Sequence, residues 1–496
     1  EMLGVVDRGW LTRVLDALLA GEGPGLVGLA DEMLAANAPF ERTLLELSGL
    51  LQRIALAQVG AVGDDDDPMA APIRDYAARM APETPEEVAS ALVEAGRQSR
   101  KVVVFSTGHG IPPIGDTSDR VLLDMSAFDK VEIDPLARTA RIGGATQWME
   151  LISAANEHGL TAPFGSAATV GVTGYMMGGG VGFMSRHLGL GSSAIRSAEL
   201  VTPDGRIRRI DAGSDPDLFW ALRGGGGGFG VITELEIELT PVPRMAGGVL
   251  GWGIEDAERV LGAWSEWTRR IDDDVTSAVR FMHPPEGPAL TVVVVTAPRA
   301  AEELAAILKP LTDLKPMLNT VRDTDPEAFL REYTDPEIDP AEPPHAFEHV
   351  LLDRLPPEAV QLTAEFAQPV TGCGAMMVEI RHMGGALGRP APGGGASDRI
   401  DGEYLFFVVG FPDVAETMNH AVDVLSDFGR GRTYFNFMPR RTGRETAYGQ
   451  EAIARLADLY EAVDPEGLID HPHPISRTAS VADETATTQV LAILHG

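Results

Sequence analysis

The hexapeptide FSTGHG, residues 105–110, sets one ionisable ring, His109, between two glycines directly behind the apolar run KVVV. Where a strand ends in a tight loop, a neutral imidazole can offer a nucleophilic nitrogen to a bound group. A plain turn histidine is the alternative. The densest signal follows in GSAATVGVTGYMMGGGVGFMSRHLGLG, residues 165–191, with glycine at 165, 171, 174, 178, 179, 180, 182, 189 and 191. Glycine gives up backbone entropy for positive φ or close approach. Peptide N–H groups freed of side chains form anion-binding nests, so the belt suits a flat or phosphate-bearing ligand. A second cluster, RGGGGGFG at 223–230, holds Gly225, Gly227 and Gly230 in G-x-G-x-x-G spacing. VITELEIEL follows it, a strand and not a helix, which excludes a Rossmann fingerprint. No lysine follows a glycine anywhere, which excludes a P-loop. Tight turns and bulges are the alternative reading of both clusters.

Elements of definite type must position these residues. TPEEVASALVEAGRQSR opens on Thr84 with Pro85 behind it and Glu87 three residues on, the pattern of a capping box, and so predicts a helix. KVVVF, RVLLDM and ARIGG then read as short strands between turns, an α+β grammar that runs to about 240. Residues 245–430 hold longer strands, TVVVVTA, AMMVEIRHM and YLFFVVGF, interleaved with helices near 255–270 and 413–428. An antiparallel sheet with helices on one face is the expectation. GRPAPGGGAS at 388–397 reads as a mobile loop between two of these strands, and a last helix spans 445–463. At the front, Leu11, Val14, Leu15, Leu18 and Leu19, then Leu47, Leu50, Leu51 and Ile54, keep helical spacing and predict three amphipathic helices over 9–58. AVGDDDDPMAAP behind them, with four successive aspartates, reads as a solvated linker.

Composition narrows the function classes. The 496 residues can fill two or three cores, and no apolar run reaches the roughly 20 residues that span a bilayer. A formal net charge of −33, with only four lysines among forty basic residues, repels polyanions, so the main body is not expected to bind nucleic acid, and without a spanning run no membrane is expected either. The single cysteine, Cys373, excludes an intramolecular disulfide framework and any Cys-based metal site, and fits a reducing cytoplasm.

The order of loop histidine, glycine belt, glycine run with strand and DP-containing tail resembles the FAD-linked oxidases of the vanillyl-alcohol-oxidase type (PCMH-type FAD-binding), most closely their berberine-bridge-enzyme-like branch. FSTGHG, the 165–191 belt, VTPDGRI, DLFWALRGGGGGFGVITELEIEL, YFNF and LADLYEAVDPEGLI carry the likeness, which extends over about 83–475. It implies an FAD-dependent oxidase or dehydrogenase that takes a hydride from an alcohol, amine or similar C–H of a small organic substrate to flavin N5, with oxygen as the acceptor. It implies monocovalent FAD, joined through its 8α-methyl to His109. Some members add a bond from a cysteine two residues after the glycine that opens the belt; that glycine is Gly165 and Ala167 stands at the cysteine's position, so one link is implied. The other cofactor contacts implied are Ser106, Thr107, Gly108 and Gly110 in the loop, and Ala167, Thr169, Gly165, Gly171, Gly174, Gly178, Gly179, Gly180 and Gly182 in the belt. Gly230, Val231 and Ile232 follow the glycine run, and Asn436 completes the set; no metal site is implied. The family's Y-x-N-Y reads here Tyr434, Phe435, Asn436, Phe437, so the tyrosine that serves several members as proton acceptor is a phenylalanine. Tyr434, Glu379 and His382, on the expected substrate side, are the substitutes, with a structural role as the alternative for each.

Residues 1 to about 82 depart from that family. EMLGVVDRGWLTRVLDALLAGEGPGLVGLADEML and LLELSGLLQRIALAQ resemble the collar region of DNA polymerase III subunit gamma/tau. The organisation expected is a helical appendage over 1–60, a linker and helix over 61–82, a PCMH-type FAD-binding domain over 83–243, a substrate domain over 244–430, a C-terminal return to the FAD domain over 431–478 and a tail over 479–496. Two readings compete with the flavoenzyme. In one, the chain is a chimera whose N-terminal helices are the interaction module and whose flavoprotein part is inactive. In the other, replacement of the family's first strand prevents turnover.

Overall fold

The computed structural model describes residues 8–19, 23–36 and 83–475, apart from short gaps at 111–116, 118, 285, 336–345, 370–371 and 439–443, together with Thr43, Glu46, Leu47, Leu50 and Ile54. The 61–82 linker, the 479–496 tail and most of the third expected N-terminal helix lie outside the described residues. Among the described residues, no helix is long and apolar enough to cross a membrane.

The N-terminal helices Arg8–Leu19 and Gly23–Ala35 form a hairpin, with Gly23, Pro24 and Gly25 in the first turn of the second. Leu11 and Leu15 on one and Leu29 and Met33 on the other are buried, and Arg13 meets Glu32 at 2.7 Å. The apolar cores of the main body draw on residues from Val88 onward.

Thr84 caps the helix Pro85–Arg97 as its sequence predicts: its hydroxyl accepts from the Glu87 N–H at 3.3 Å, and the Glu87 carboxylate accepts from the Thr84 N–H at 3.2 Å. Buried Val88, Leu92 and Ala95 hold that helix against strands β1 (Val102–Phe105) and β2 (Val121–Asp124), which pair in parallel. The chain's C-terminal return joins the other edge of β1: the Val102 N–H donates to Leu468 O and the Asp470 N–H to Val102 O. Arg120 clamps buried Asp470 at 2.5 Å. Beside this pair lies an antiparallel sheet in the order β3-β4-β8-β6-β7, made of β3 (Val131–Asp134), β4 (Thr139–Gly143), β6 (Ile195–Val201), β7 (Ile207–Asp211) and β8 (Val231–Glu238). A short pair, β5 (Leu160–Thr161) and β9 (Thr240–Pro241), borders it. The helix Trp148–Asn156 packs Trp148, Leu151 and Ile152 into the core of this half.

The second half is the expected antiparallel sheet with helices on one face. Its main path runs β13-β10-β12-β11-β16-β17-β15, through β10 (Met245–Gly253), β11 (Thr276–Met282), β12 (Leu290–Ala297), β13 (Leu318–Asn319), β15 (Ala346–Leu352), β16 (Met377–His382) and β17 (Tyr404–Gly410), with β14 (Arg322–Thr324) also on β10. Alternation sorts each strand onto two faces. Val279, Phe281, Val378, Ile380, Phe406 and Val408 point to the helices Ala257–Thr268, Pro357–Phe366 and Ala415–Ser426, against Trp264, Val360 and Met418. Full burial of each of those large side chains contributes roughly 1.5–3 kcal/mol. The other face carries polar residues in register: Arg280 opposite Glu379, Glu379 opposite Phe407, Phe407 opposite His349. It turns toward the glycine belt, where Val181, Leu190 and Tyr434 meet Leu351, Met383 and Leu405.

One expectation needs correction. The 388–397 segment is tied down: the Ala396 N–H donates to Trp220 O, the Ser397 N–H to Arg223 O, and Arg223 Nη2 to Pro392 O at 2.9 Å. Three successive glycines with positive φ, 393–395, let it fold onto Arg223, so its glycines serve docking and not motion.

Candidate cofactor and substrate site

The loop 105–110 and the belt come together. Thr107 Oγ1 accepts from the Gly171 N–H at 3.1 Å and lies 3.2 Å from His109 Nδ1. A Cβ at Gly171 would press on both the Ser106 and Thr107 hydroxyls, while Gly108 takes φ +82 to turn the loop. The His109 ring is exposed at the surface, yet the surrounding protein desolvates it and lowers its pKa, only partly offset by the bond from Thr107. The free imidazole is therefore held neutral.

In the belt, the glycines make room for two aromatic rings and one amide. The Tyr175 ring, edge-on to Trp148 at 5.0 Å, sits where side chains on Gly165, Gly180 or Gly191 would stand. Asn436 Nδ2 donates to Tyr175 O at 2.9 Å and to the Tyr434 hydroxyl at 3.0 Å, and a Cβ at Gly178 would overlap the Asn436 amide. Gly179 and Gly180 have φ +111 and +81, a pair of turns that only glycine makes without strain. Gly182 backs onto the Phe164 carbonyl; Gly174 faces open space, and Ala167 and Thr169 are half-buried on the same segment. Gly230, with φ +154, packs on Leu200 and Val201 and leads into buried Val231 and Ile232 at the start of β8. The structure thus brings the loop, the belt and Asn436 into one region.

That region leaves polar atoms unanswered. Ser106 Oγ, Trp148 Nε1, Thr173 Oγ1 and the Tyr175 hydroxyl are buried without a hydrogen-bond partner. Such orphans cost about 1–3 kcal/mol each, and their place on the loop, the belt and the helix behind it fits a bound group that supplies donors and acceptors. A flavin nucleotide does so along its whole length, and the residues present fit it.

The glycine run 223–230 behaves differently. Arg444, 1% exposed, donates to the carbonyls of Gly225, Gly227 (2.8 Å) and His473 (2.8 Å), and its guanidinium lies 5.1 Å from the Phe435 ring centroid. The Tyr448 hydroxyl donates to Gly224 O at 2.7 Å, and the Gly227 N–H donates to His471 Nε2 at 3.2 Å. Burial lowers the Arg444 pKa to about 10, which leaves it charged. Sequence reasoning missed this residue; nothing in RRTGRETAY marks Arg444 as internal.

On the belt-facing side of the second sheet, Glu379 is wholly buried between Arg280, whose Nε lies 2.5 Å away, and Arg381. Arg280 also meets Asp335 at 3.0 Å, Asp335 accepts from Ser166 Oγ at 2.6 Å, and Arg381 Nη2 reaches Ser166 Oγ at 3.3 Å. Burial works to raise the Glu379 pKa, but the two guanidiniums prevail and hold it below the usual carboxylate value. Burial raises the Tyr434 phenol against the bond from Asn436. His382 lies on the opposite, core face of β16, stacked on Tyr404 and edge-on to Trp264, with its pKa lowered to about 2 by burial. The structure therefore places Tyr434 and Glu379 on the belt side and separates His382 from them, a correction that follows from strand alternation: positions 379 and 381 share a face, 380 and 382 the other. His349, also missed, accepts from the Tyr434 N–H at 2.7 Å, with its pKa lowered to about 3 by burial. The missed cations had a sequence signal, since Arg280 and the Glu379–Arg381 pair interrupt otherwise apolar strands at alternate positions.

Residues 76–211 match the family described as FAD binding domain. Residues 1–92 match a second family, domain III of DNA polymerase III subunits gamma and tau, as expected for the N-terminal segment. Reticuline oxidase of Papaver somniferum is 35% identical over 209 residues, 40% of this chain and 38% of its own length. This chain spans 36–38% of the length of such curated relatives. Among solved structures, 6-hydroxy-D-nicotine oxidase from Arthrobacter nicotinovorans superposes with a TM-score of 0.71 at 23% identity, covering 80% of this chain and 91% of that one. Glucooligosaccharide oxidase from Acremonium strictum, with its 6-S-cysteinyl, 8α-N1-histidyl FAD, superposes at 0.69 with 20% identity, over 80% and 91%. These likenesses show that the chain shares the fold of those two proteins.

Proposed function

We propose that this protein is an FAD-dependent oxidoreductase acting on a small organic substrate bound between the belt and the polar face of the second sheet, with oxygen as the acceptor. The observation that carries the reading is the set of four orphaned buried polar atoms around the belt, beside a neutral loop imidazole. FAD, when bound, supplies the hydride acceptor. Ser106, Thr107 and the glycines 171–182 would hold it, and His109 would offer the neutral nitrogen for a covalent link; the histidyl flavin of the oligosaccharide oxidase supports that link, and Ala167 would leave it single. Asn436 orients the Tyr434 hydroxyl, and Arg280 and Arg381 keep Glu379 ionised as a fixed negative charge that orders the sheet face. The test is absorbance of the purified protein with flavin fluorescence on a denaturing gel. A yellow protein whose fluorescence migrates with the band, and is lost in His109→Ala, is expected; a colourless protein that takes up no FAD removes the reading.

The match of residues 1–92 to the gamma/tau domain favours a second role for the N-terminal helices as a protein-binding module. Its test is capture of clamp-loader subunits by residues 1–82 fused to a carrier.

A further inference from the structure

The belt-facing side of β16 presents a cation where the proton acceptor would be expected. Phe437 stands at the position of the family's tyrosine and can take no proton, and the Arg381 guanidinium lies over its ring, 5.3 Å from the centroid. Arg381 is almost enclosed, with 12% of its side chain exposed, and it reaches across to Ser166 on the belt, next to Ala167. It has no carboxylate to itself. Of the two carboxylates in the cluster, Arg280 takes Asp335 and shares Glu379, while Arg381 has the shared Glu379 alone. Nε is committed to Glu379 and Nη2 to Ser166; among the described residues, Nη1 donates to nothing. Around it stand flat apolar surfaces: Phe437 packs on Phe407 at 4.9 Å and on Tyr434 at 5.2 Å.

We propose that Arg381 is a specificity-determining residue that binds the acidic group of a small flat organic anion, which makes the substrate class an aromatic or similar acid and not a neutral alcohol or sugar. The inference rests on the oxidoreductase reading above and names the substrate class of that same site. A guanidinium offers a carboxylate or phenolate a charge-assisted bond, and with 12% of the Arg381 side chain exposed that bond forms largely out of water, where it discriminates strongly against an uncharged isostere. Phe437 and Phe407 give the flat body of the ligand a surface to lie on. Neither Glu379, held ionised by two cations, nor Tyr434, raised by burial, competes as a proton acceptor near neutrality, so a substrate that arrives already ionised suits the site.

The experiment is titration calorimetry of the purified, flavin-loaded protein with benzoate and with its neutral isostere benzamide, on wild type, Arg381→Met and Arg381→Lys. Wild type is expected to bind benzoate at least about tenfold more tightly than benzamide; Arg381→Met loses that preference, and Arg381→Lys keeps only part of it because one ammonium cannot meet Glu379, Ser166 and the ligand in the same geometry. Flavin absorbance in both variants reports that the cofactor site is intact. Equal affinity for the two probes in wild type, no benzoate binding by a protein that holds flavin, or unchanged preference in Arg381→Met overturns the proposal. If Arg381→Met fails to fold, the wild-type ratio and Arg381→Lys decide it. A wild-type protein that takes up no flavin fails at the oxidoreductase reading instead, and the two failures are told apart by colour.

Discussion

The glycine belt and the glycine run are both built on glycine and have opposite polarity. In the belt, removal of side chains admits Tyr175, Asn436 and the Phe164 carbonyl, yet Trp148 Nε1 and the hydroxyls of Ser106, Thr173 and Tyr175 are left buried with nothing to meet. In the run, removal of side chains lets successive carbonyls turn inward, and Arg444 and Tyr448 satisfy those of Gly225, Gly227 and Gly224. One cluster is unfinished without a ligand; the other is finished by the chain itself. Glycine density therefore reports close approach of backbone, and what approaches is decided by which peptide groups point in. If that difference is real, substitutions in the two clusters fail in different ways.

The largest effect is expected at Gly178. A valine there collides with Asn436, the side chain that ties the C-terminal return to the belt, and its branched Cβ has no room to rotate away. Flavin content of the purified protein should fall to less than about a tenth of wild type, because the belt cannot close around the cofactor. An unchanged ratio of flavin to protein absorbance in Gly178→Val would make the belt a set of ordinary turns and erase the contrast.

Arg444→Met should cost less in cofactor and more in fold. It leaves the carbonyls of Gly225, Gly227 and His473 buried without donors, a loss of roughly 3 kcal/mol. Since the run is complete without a ligand, the loss should be the same with and without saturating FAD, measured by urea unfolding. A penalty that FAD removes would mean that the run, like the belt, is built for the cofactor.

Much of this was legible in the sequence because its causes are local. The capping box at Thr84 and Glu87 acts over four residues, and the alternation of AMMVEIRHM and YLFFVVGF separates two faces whatever the strands pair with. The belt, His109 and Asn436 could be placed by motif order. What was hidden depends on contacts remote in sequence. The inward carbonyls of the run become intelligible only once Arg444 is beside them, and the Arg280–Glu379 pair exists because the register of β11 on β16 sets the two opposite each other. The 388–397 glycines look like those of a free loop until Arg223 supplies the dock. His382 lies apart because the sequence of β16 does not say which of its alternate positions faces the belt, and 382 packs on Trp264 and Tyr404 instead.

A crossing of signs would sharpen the comparison further. Tyr175→Phe removes a buried hydroxyl that has no partner, so the protein without FAD should gain about 1 kcal/mol or be unchanged. With FAD the same change should cost up to about tenfold in affinity, if the hydroxyl is one of the groups the cofactor answers. Tyr448→Phe in the run, by contrast, removes a donor already used by Gly224 O and should destabilise in both conditions by about 1 kcal/mol. Melting curves of the four proteins, each with and without FAD, read the comparison; parallel behaviour of the two tyrosines would dissolve it.

The smallest effect is expected from pH at His109, where the proposed link to a flavin calls for a neutral ring. An ordinary imidazole with a pKa of about 6.5 is half protonated at that pH, and a nucleophilic step through it would run at about half its alkaline rate there. Desolvation by the surrounding loop lowers the His109 pKa, so the neutral fraction at pH 6.5 exceeds one half and the fall in rate is less than twofold between pH 8 and 6.5. The proton is lost more readily in the folded loop than in the unfolded chain, and the loss of reactivity moves to lower pH accordingly. The measurement is the growth of flavin fluorescence in the denatured band after FAD is added to cofactor-free protein at a series of pH values. A rate already halved near pH 7 would show that the loop raises this pKa, and the imidazole would then be the one polar group of the belt region that the fold does not prepare in advance.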